Sequence, residues 1–479
     1  MIRLGALHEE GILVEKDNNK TIEYYTRATS APLASTSILS LAHYLVGINY
    51  RLGDLGLEQN FTLALEHLAL SADAGYAPAQ RALGLMYAEG IGTPKDSTKA
   101  NILFEKASNQ GDIRSLGLMS NQQHLQQPNN LASAISLYEK AAKAGSLTAQ
   151  LSLAELLQRT GKHSLAFKWF EIASKNAPTT NSEHQKISIL DFSVGFVSQR
   201  NLARLMVARY RYNGWGSVKQ DRLWAFEEFR TLSNNGYSDA HYWLAACYEE
   251  GVQELQESDV YQCIVKPNLG LAFELYTKAA EAGDMDGQFQ VAYMLSNGIG
   301  VSKNVNTAFL WYTKSAEQGH KTAQYSLGMY YENGLGIPVN LEKAKQWYEL
   351  AAEELPMAMT RLAKILISLD NTTIAIQEAT DWLNKAIENG DVSALRELAI
   401  VHKNGLINLE SSSATSLASY RIAFNYFQQA ADKDDALSWH ALSKFYEGYY
   451  NTEDEIVVPR SFGKAIICLK KAEDLGYAP

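Results

Sequence analysis

The chain has 479 residues, of which 46% are hydrophobic, and a formal net charge of −10 at pH 7. The apolar content suffices for an extensive buried core, and the acidic balance argues against nucleic-acid binding, which requires clustered positive charge. The three cysteines, Cys247, Cys263 and Cys468, are widely spaced and form no Cys-x2-Cys pair, which argues against a zinc site or a disulfide framework. We find no apolar stretch long enough for a transmembrane segment and no apolar core of a signal peptide in residues 1–10, so we expect neither feature. We therefore expect a cytoplasmic protein without membrane insertion.

One sequence pattern recurs along the chain, and its first half predicts a helix. Each copy begins at an anchor alanine, and a large apolar or aromatic residue four positions later lies on the same helical face. In eight copies a glycine stands eleven residues after the anchor, where a left-handed residue is expected to end the helix. The anchors are Ala64, Ala100, Ala134, Ala166, Ala225, Ala272, Ala308, Ala344, Ala379, Ala423 and Ala465.

The second half of each copy predicts another helix, which reads Ala79-x3-Leu83-Gly84-x2-Tyr87-x2-Gly90 in a clear example. The central position is Gly or Ala, and because a mid-helix glycine costs about 1 kcal/mol relative to alanine, we expect a partner helix to approach closely there. Units of this size cannot bury their apolar faces alone and must stack. The sequence therefore predicts an all-α solenoid, an architecture for which binding is the default function.

We predict that residues 1–479 form a single continuous array of about eleven to twelve repeats, without a separate domain. The fifth full repeat carries an insertion at 177–198, and the sixth carries a long loop at 252–267. Both ends break the pattern, so we expect the chain to be a piece of a longer array, or its ends to pack against another chain. The predicted units are a half repeat at 1–18, repeats at 19–60, 61–96, 97–130, 131–162, 163–221, 222–268, 269–304, 305–340, 341–374, 375–418 and 419–460, and a truncated repeat at 461–479.

The sequence contains no arrangement typical of catalysis or of cofactor binding. Glycine pairs such as Gly90-Ile91-Gly92 recur with the period and follow helices, which indicates turns rather than phosphate loops. The ten histidines are scattered without His-x3-His spacing, and adjacent carboxylates such as Glu227-Glu228 lie on different helical faces. We therefore predict no enzyme activity and no catalytic, cofactor-binding or metal-binding residues.

Four tryptophans each stand three residues after an anchor alanine: Trp169, Trp311, Trp347 and Trp382. A stripe of this kind is more often packing within the core or between repeats. The alternative is a ladder on the inner wall that grips an extended peptide, since tryptophan is enriched at binding hot spots. We name these four residues as candidate partner-binding residues and leave both interpretations open.

The combined pattern Ala-x3-Tyr-x2-Ala-Ala-x2-Gly and Ala-x3-Leu-Gly-x2-Tyr-x2-Gly-x-Gly resembles the Sel-one-like repeat family, relatives of the tetratricopeptide repeat. The resemblance is strongest in Phe61–Asp96, Leu269–Asn304 and Val305–Asn340. It implies an α/α solenoid, in which antiparallel helix pairs stack into a right-handed superhelix. It also implies a scaffold or adaptor that binds a peptide segment or a folded domain, for example in the manner of fungal chitin-synthase activators or signalling adaptors. The alternatives are a hydrolase-type enzyme on a helical scaffold and a structural segment of a larger protein.

Overall fold

The computed structural model describes residues 1–11, 14–31, 34–126, 131–175, 189–255, 261–370, 372–406, 413–450 and 456–477. Within these residues the chain is mostly α-helical, and most consecutive helices are separated by only a few residues. It divides into two compact units, which are described separately. The first comprises residues 1–240 and 252–264, and the second comprises residues 241–251 and 265–479.

In the first unit, successive helices pack against one another in chain order. A short 3-10 helix, Trp215–Ser217, follows the last long helix of the series. The α-helices are α1 (Ile2–Glu10), α2 (Asn18–Thr29), α3 (Thr36–Leu52), α4 (Phe61–Asp73), α5 (Ala77–Glu89), α6 (Ser97–Asn109), α7 (Ile113–Gln126), α8 (Leu131–Lys143), α9 (Leu147–Arg159), α10 (His163–Lys175), α11 (Ile189–Asn213) and α12 (Arg222–Asn234).

After its first helix, the second unit repeats the same packing of successive helices in chain order. Its helices begin with α13, whose first two residues belong to the first unit. They are α13 (Asp239–Glu250), α14 (Leu269–Glu281), α15 (Met285–Asn297), α16 (Val305–Glu317), α17 (Lys321–Asn333), α18 (Leu341–Ala351), α19 (Pro356–Leu369), α20 (Thr373–Glu388), α21 (Val392–Lys403), α22 (Ser413–Ala431), α23 (Ala436–Glu447) and α24 (Phe462–Asp474). The predicted α/α solenoid is thus confirmed, whereas the boundaries of the individual repeats stay predictions.

The two predicted insertions differ from expectation. Strands β1 (Val252–Leu255) and β2 (Tyr261–Val265) pair into a two-stranded sheet where the sequence predicted only a long loop. The β-branched and aromatic residues of these two short runs favour strands, but runs of four or five residues are too short for a periodic signal. In the other insertion, residues 189–198 belong to α11, and residues 177–188 lie outside the described residues.

First helices end as the sequence predicts, at a glycine in the left-handed region. All eight glycines that stand eleven residues after an anchor have positive φ angles. At Gly283, with φ of 97°, the Gly283 N–H donates to the Ala280 carbonyl, and the Asp284 N–H donates to the Ala279 carbonyl, both at 3.1 Å. These two hydrogen bonds form a Schellman motif, which satisfies carbonyls that the helix end leaves free.

Several first helices also begin in the same way. The Asn304 side chain accepts a hydrogen bond from the Thr307 N–H at 3.0 Å, which caps α16. The Asn304 backbone N–H donates to the Leu295 carbonyl of the preceding second helix at 2.8 Å. One residue thus caps its own helix and fixes the connection to the previous repeat. The same arrangement occurs at Asn60, Asp96, Asp221, Asn268 and Asn340.

The small residue in the middle of each second helix packs against the first helix of the next repeat. A Cβ atom added at Gly84 would lie 2.6 Å from Phe104 Cε1, and one added at Gly328 would lie 2.6 Å from Tyr348 Cε1. Both aromatic side chains are fully buried. The predicted close approach is therefore confirmed at these two glycines, and its partner is the large residue four positions after the next anchor.

Where that large residue is a tyrosine, its hydroxyl can bond a glutamate of the preceding repeat. Tyr348 donates to Glu332 at 2.6 Å, and this glutamate stands four residues after Gly328. Burial and this hydrogen bond raise the pKa of the Tyr348 hydroxyl. Two further pairs follow the same register, Tyr25 with Glu9 at 2.5 Å and Tyr276 with Glu249 at 2.7 Å. The polar pair joins consecutive repeats inside an otherwise apolar junction.

Candidate interaction surface

The four candidate tryptophans occupy one equivalent position on four first helices, α10, α16, α18 and α20. All four side chains are half-buried. Trp169 belongs to the first unit, while Trp311, Trp347 and Trp382 belong to the second unit and come from three consecutive repeats. The structure therefore places three of the four candidates in one stack of repeats.

Two polar residues that stand three positions after an anchor alanine, as the tryptophans do, show which part of the structure this position faces. His67 of α4 contacts His43 of α3, with 2.9 Å between the two Nδ1 atoms. Glu228 of α12 accepts a hydrogen bond from Arg204 of α11 at 2.6 Å. In both cases the partner lies on the preceding second helix, four residues before its small central residue. The position thus lies at the junction between consecutive repeats.

Two of the tryptophans share this junction environment. Trp169 packs against a core cluster that includes Leu153 of the preceding second helix, and Trp382 packs against a cluster that includes Leu362 and Leu366 of α19. Part of these two rings therefore stabilises the stack, as the packing interpretation requires. Since the side chains are only half-buried, the rest of each ring is open to solvent.

A residue one helical turn later flanks each tryptophan. The Lys314 ammonium lies 4.0 Å from the centre of the Trp311 ring, and the Lys385 ammonium lies 4.8 Å from the centre of the Trp382 ring. Such cation–π contacts contribute about 0.5–1 kcal/mol at exposed sites. Next to Trp347 the equivalent residue is Leu350, which is 44% exposed.

These side chains form what we call the first-helix ridge of the second unit. Its most exposed apolar member is Leu310, with 60% of its surface accessible. Leu310 and Lys314 are four residues apart and share one helical face. Stacking of repeats sets equivalent positions in a row, so the ridge combines aliphatic, aromatic and cationic groups along three repeats. Its members are Leu310, Trp311, Lys314, Trp347, Leu350, Trp382 and Lys385.

Partly buried charged groups in the structure hold helices together. Arg81 of α5 donates to both carboxylate oxygens of Asp112, at 2.7 and 2.6 Å. Arg361 of α19 donates to Glu332 of α17 at 3.2 Å. Within the described residues, no group of three or more His, Cys, Asp or Glu side chains is arranged to hold a metal ion. In the same part of the chain, no helix is long and apolar enough to cross a membrane.

Two features of the junctions escaped the sequence analysis, and the first is a buried glutamine. The Gln80 amide donates to the Ala72 carbonyl of its own repeat at 3.1 Å, and its side-chain oxygen accepts from Gln110 of the next repeat at 2.8 Å. The recurring dipeptide Ala-Gln or Gly-Gln is the sequence signal that could have revealed it. Gln150, Gln288 and Gln324 make the same bond within their own repeats.

The second is the pair His43 and His67, which the sequence analysis treated as isolated residues. They are 24 positions apart, so no local spacing in the sequence predicts their contact. The Tyr50 ring stacks on His67 with 6.2 Å between ring centres. Burial lowers the pKa of both imidazoles.

The repeat assignment is decided by comparison with known families. The Sel1 repeat matches residues 1–32, 40–76, 77–112, 115–146, 149–177, 238–284, 286–320, 321–354, 356–391, 392–435 and 448–477. The chain belongs to the Sel1 repeat family. Proteins built from Sel1 repeats are generally protein-interaction scaffolds.

Relatives of this Sel1 repeat chain carry diverse names. It is 30% identical over 240 residues to the mouse DAP3-binding cell death enhancer 1, covering 48% of this chain and 44% of the mouse protein. It is 34% identical over 108 residues to the alginate biosynthesis protein AlgK of Azotobacter vinelandii, covering 22% of each chain. The match thus spans less than half the length of either relative.

Among solved structures, the chain is similar to a protective antigen of uropathogenic Escherichia coli strains that displays an SLR fold. The TM-score is 0.59 and the identity is 22%, with 95% of this chain and 88% of that chain covered. At this identity the likeness establishes the shared fold.

Proposed function

We propose that this chain is a non-catalytic scaffold that assembles or regulates a protein partner, and that the first-helix ridge of the second unit contacts that partner. The observation that carries the proposal is the row of partly exposed tryptophans, flanked by Leu310 and Leu350, on three consecutive repeats. Half-buried tryptophans supply large contact area at small entropic cost, and tryptophan is enriched at binding hot spots.

The composition of the ridge favours a particular kind of partner surface. Leu310 and Leu350 fit aliphatic side chains, while the Lys314 and Lys385 ammonium groups fit carboxylates. A peptide segment or a folded domain that alternates aliphatic and acidic groups satisfies both. The name of the mouse relative states that it binds a protein, DAP3, which supports a protein as the class of partner.

We further propose that the protein works in the cytoplasm. Cys468 is a buried free thiol, as expected for a chain kept in a reducing compartment.

The test replaces exposed aliphatic residues of the ridge and spares the tryptophans, since truncating Trp382 would also remove junction packing. In the variant L310D/L350D, a carboxylate replaces each aliphatic contact, and we expect the affinity for a purified partner to fall at least tenfold. The partner is first captured from native cells with the parent chain, and its binding is then measured by calorimetry.

The matched control is Ile374→Asp in α20, because Ile374 is 81% exposed and lies outside the ridge. We expect this variant to bind like the parent. Equal affinity of the parent and L310D/L350D, with unchanged folding, would exclude the ridge as the contact surface.

A further inference from the structure

Helix α24 presents an apolar face whose equivalent in α4 is covered. In α4, Phe61 and Leu65 stand three residues before and one residue after the anchor alanine, and both pack against a core cluster that includes Leu83 of the second helix α5. The equivalent residues of α24 are Phe462, which is 69% exposed, and Ile466, which is 65% exposed. The side of α24 that corresponds to the covered side of α4 is therefore open to solvent.

Other repeats show which part of a second helix covers this face. The Phe309 ring of α16, one residue after the anchor, contacts the Tyr331 ring of α17 edge-on, with 5.7 Å between ring centres. Phe424 of α22 and Tyr446 of α23 make the same contact at 5.7 Å. In both pairs the tyrosine stands three residues after the small central residue of the second helix. This part of a second helix thus packs against the residue that follows the anchor.

Helix α1 presents the complementary face. It packs on α2 as a second helix does, because a Cβ added at Gly5 would lie 2.6 Å from Tyr25 Cε1. Leu4 precedes this glycine as Leu83 precedes Gly84 in α5. Leu4 is nevertheless 48% exposed, whereas Leu83 is 5% exposed. The side of α1 that corresponds to the side of α5 covered by its first helix is therefore open.

We propose that α1 of one copy of this chain packs against α24 of a second copy, so that the two helices complete one repeat. Leu4 would then lie against Phe462 and Ile466, and His8, which stands three residues after Gly5, would contact Ile466. A second copy is the occupant that the structure favours, because the same chain carries a first helix open toward a second helix and a second helix open toward a first helix. Uncovered apolar faces of such repeat units are buried by stacking.

The proposed contact joins two different surfaces, so it is heterologous and allows further copies to add in a row. A single pair of helices is a small interface compared with those of stable complexes. We therefore expect association that is weak and dependent on concentration. The contact is independent of the first-helix ridge.

The test is sedimentation velocity of the full 479-residue chain from low to high micromolar concentration, where we expect the mean mass to rise with concentration. Leu4→Glu places a carboxylate on the α1 face, and Ile466→Glu places one on the α24 face. Both side chains are exposed in the single chain, and circular dichroism and thermal unfolding verify that the variants fold. The control is Ile374→Glu in α20, at a residue that is 81% exposed, and we expect it to associate like the parent.

A mixture of the two variants distinguishes the proposed contact from a symmetric one. We expect each variant alone to associate at least tenfold more weakly than the parent. An equal mixture should form one-to-one dimers with the affinity of the parent, because Leu4→Glu keeps the α24 face and Ile466→Glu keeps the α1 face. A parent that stays monomeric at every concentration, a single variant that associates like the parent, or a mixture that does not associate would each overturn the proposal.

Discussion

At the residue scale, the left-handed position that ends eight of the first helices accounts for the recurring glycine. Gly319 has φ of 96°, and an added Cβ would meet no atom within 4 Å. The constraint is therefore the backbone angle and not the lack of space. We expect Gly319→Val to lower the free energy of unfolding by about 1 kcal/mol or more, because a β-branched residue is strained there. Chemical denaturation checks this. Gly463→Val, at a helical glycine in open space, is the control without strain.

One repeat carries an aspartate at this position. Asp434 has φ of 64°, and the N–H groups of Asp434 and Asp435 make the two Schellman hydrogen bonds to Ala431 and Ala430. We expect Asp434→Gly to raise the free energy of unfolding by about 0.5–1 kcal/mol, since it relieves the left-handed strain and removes a negative charge from a helix C-terminus. Thermal unfolding provides the measurement. If Asp434→Gly unfolds at a lower midpoint temperature than the parent chain, Asp434 stabilises the helix end and the prediction is wrong.

At the junction glutamine Gln324, the side-chain oxygen lacks the hydrogen-bond donor that the equivalent oxygen of Gln288 has. Gln288 accepts from Gln318 at 2.7 Å, whereas the Gln324 side-chain oxygen is buried without a hydrogen-bond partner. The residue equivalent to Gln318 in the next repeat is Glu354, whose carboxylate cannot donate.

We therefore expect Glu354→Gln to supply the missing hydrogen bond and to stabilise the chain by about 0.5–1.5 kcal/mol. The comparison is with Glu353→Gln, which also removes a negative charge but breaks the exposed ion pair with Lys321. Equal free energies of unfolding for Glu354→Gln and Glu353→Gln would show that the new amide does not form a stabilising hydrogen bond with Gln324.

At the scale of the element, the junction between a second helix and the next first helix depends on a missing side chain. In an exposed helix, glycine to alanine is stabilising by about 1 kcal/mol. We expect Gly328→Ala to have the opposite effect and to lower the free energy of unfolding by about 1–3 kcal/mol. The new Cβ would overlap the Tyr348 ring, and overpacking is costly.

The matched substitution is Gly270→Ala in α14, where the nearest atoms are an ordinary 3.6 Å and 4.0 Å away. Here we expect the free energy of unfolding to rise by a few tenths to about 1 kcal/mol. Equilibrium unfolding of both variants measures the difference in sign. A gain at both positions would contradict the packing role of the mid-helix glycine.

The sequence predicted those elements whose signal is periodic. Anchor alanines, helix-ending glycines and small mid-helix residues recur often enough to define the helix pairs and their close contacts. The strand pair of residues 252–265 was missed because two short runs carry no helical or alternating period. The contact of His43 with His67 was missed because it joins two helices of different repeats. The tryptophan register was recognised, but its half-buried place at the repeat junction required coordinates.

At the scale of the molecule, each repeat packs mainly on its neighbours along the chain. Stability in such arrays is approximately a sum of terms for single repeats and for the junctions between them. The glutamine, tyrosine–glutamate and histidine pairs all lie at junctions, so changes there act on two adjacent repeats. The proposed binding along a ridge that spans three repeats of one unit therefore predicts that a bound partner stabilises the stacking of those repeats.

Hydrogen exchange of the full chain, with and without a bound protein partner, tests the proposed scaffold most directly. Binding along the ridge predicts slower amide exchange in α16, α18 and α20, with little change in the strand pair formed by β1 and β2. Protection confined to that strand pair, or to helices outside the ridge, would contradict the proposal that the first-helix ridge is the binding surface.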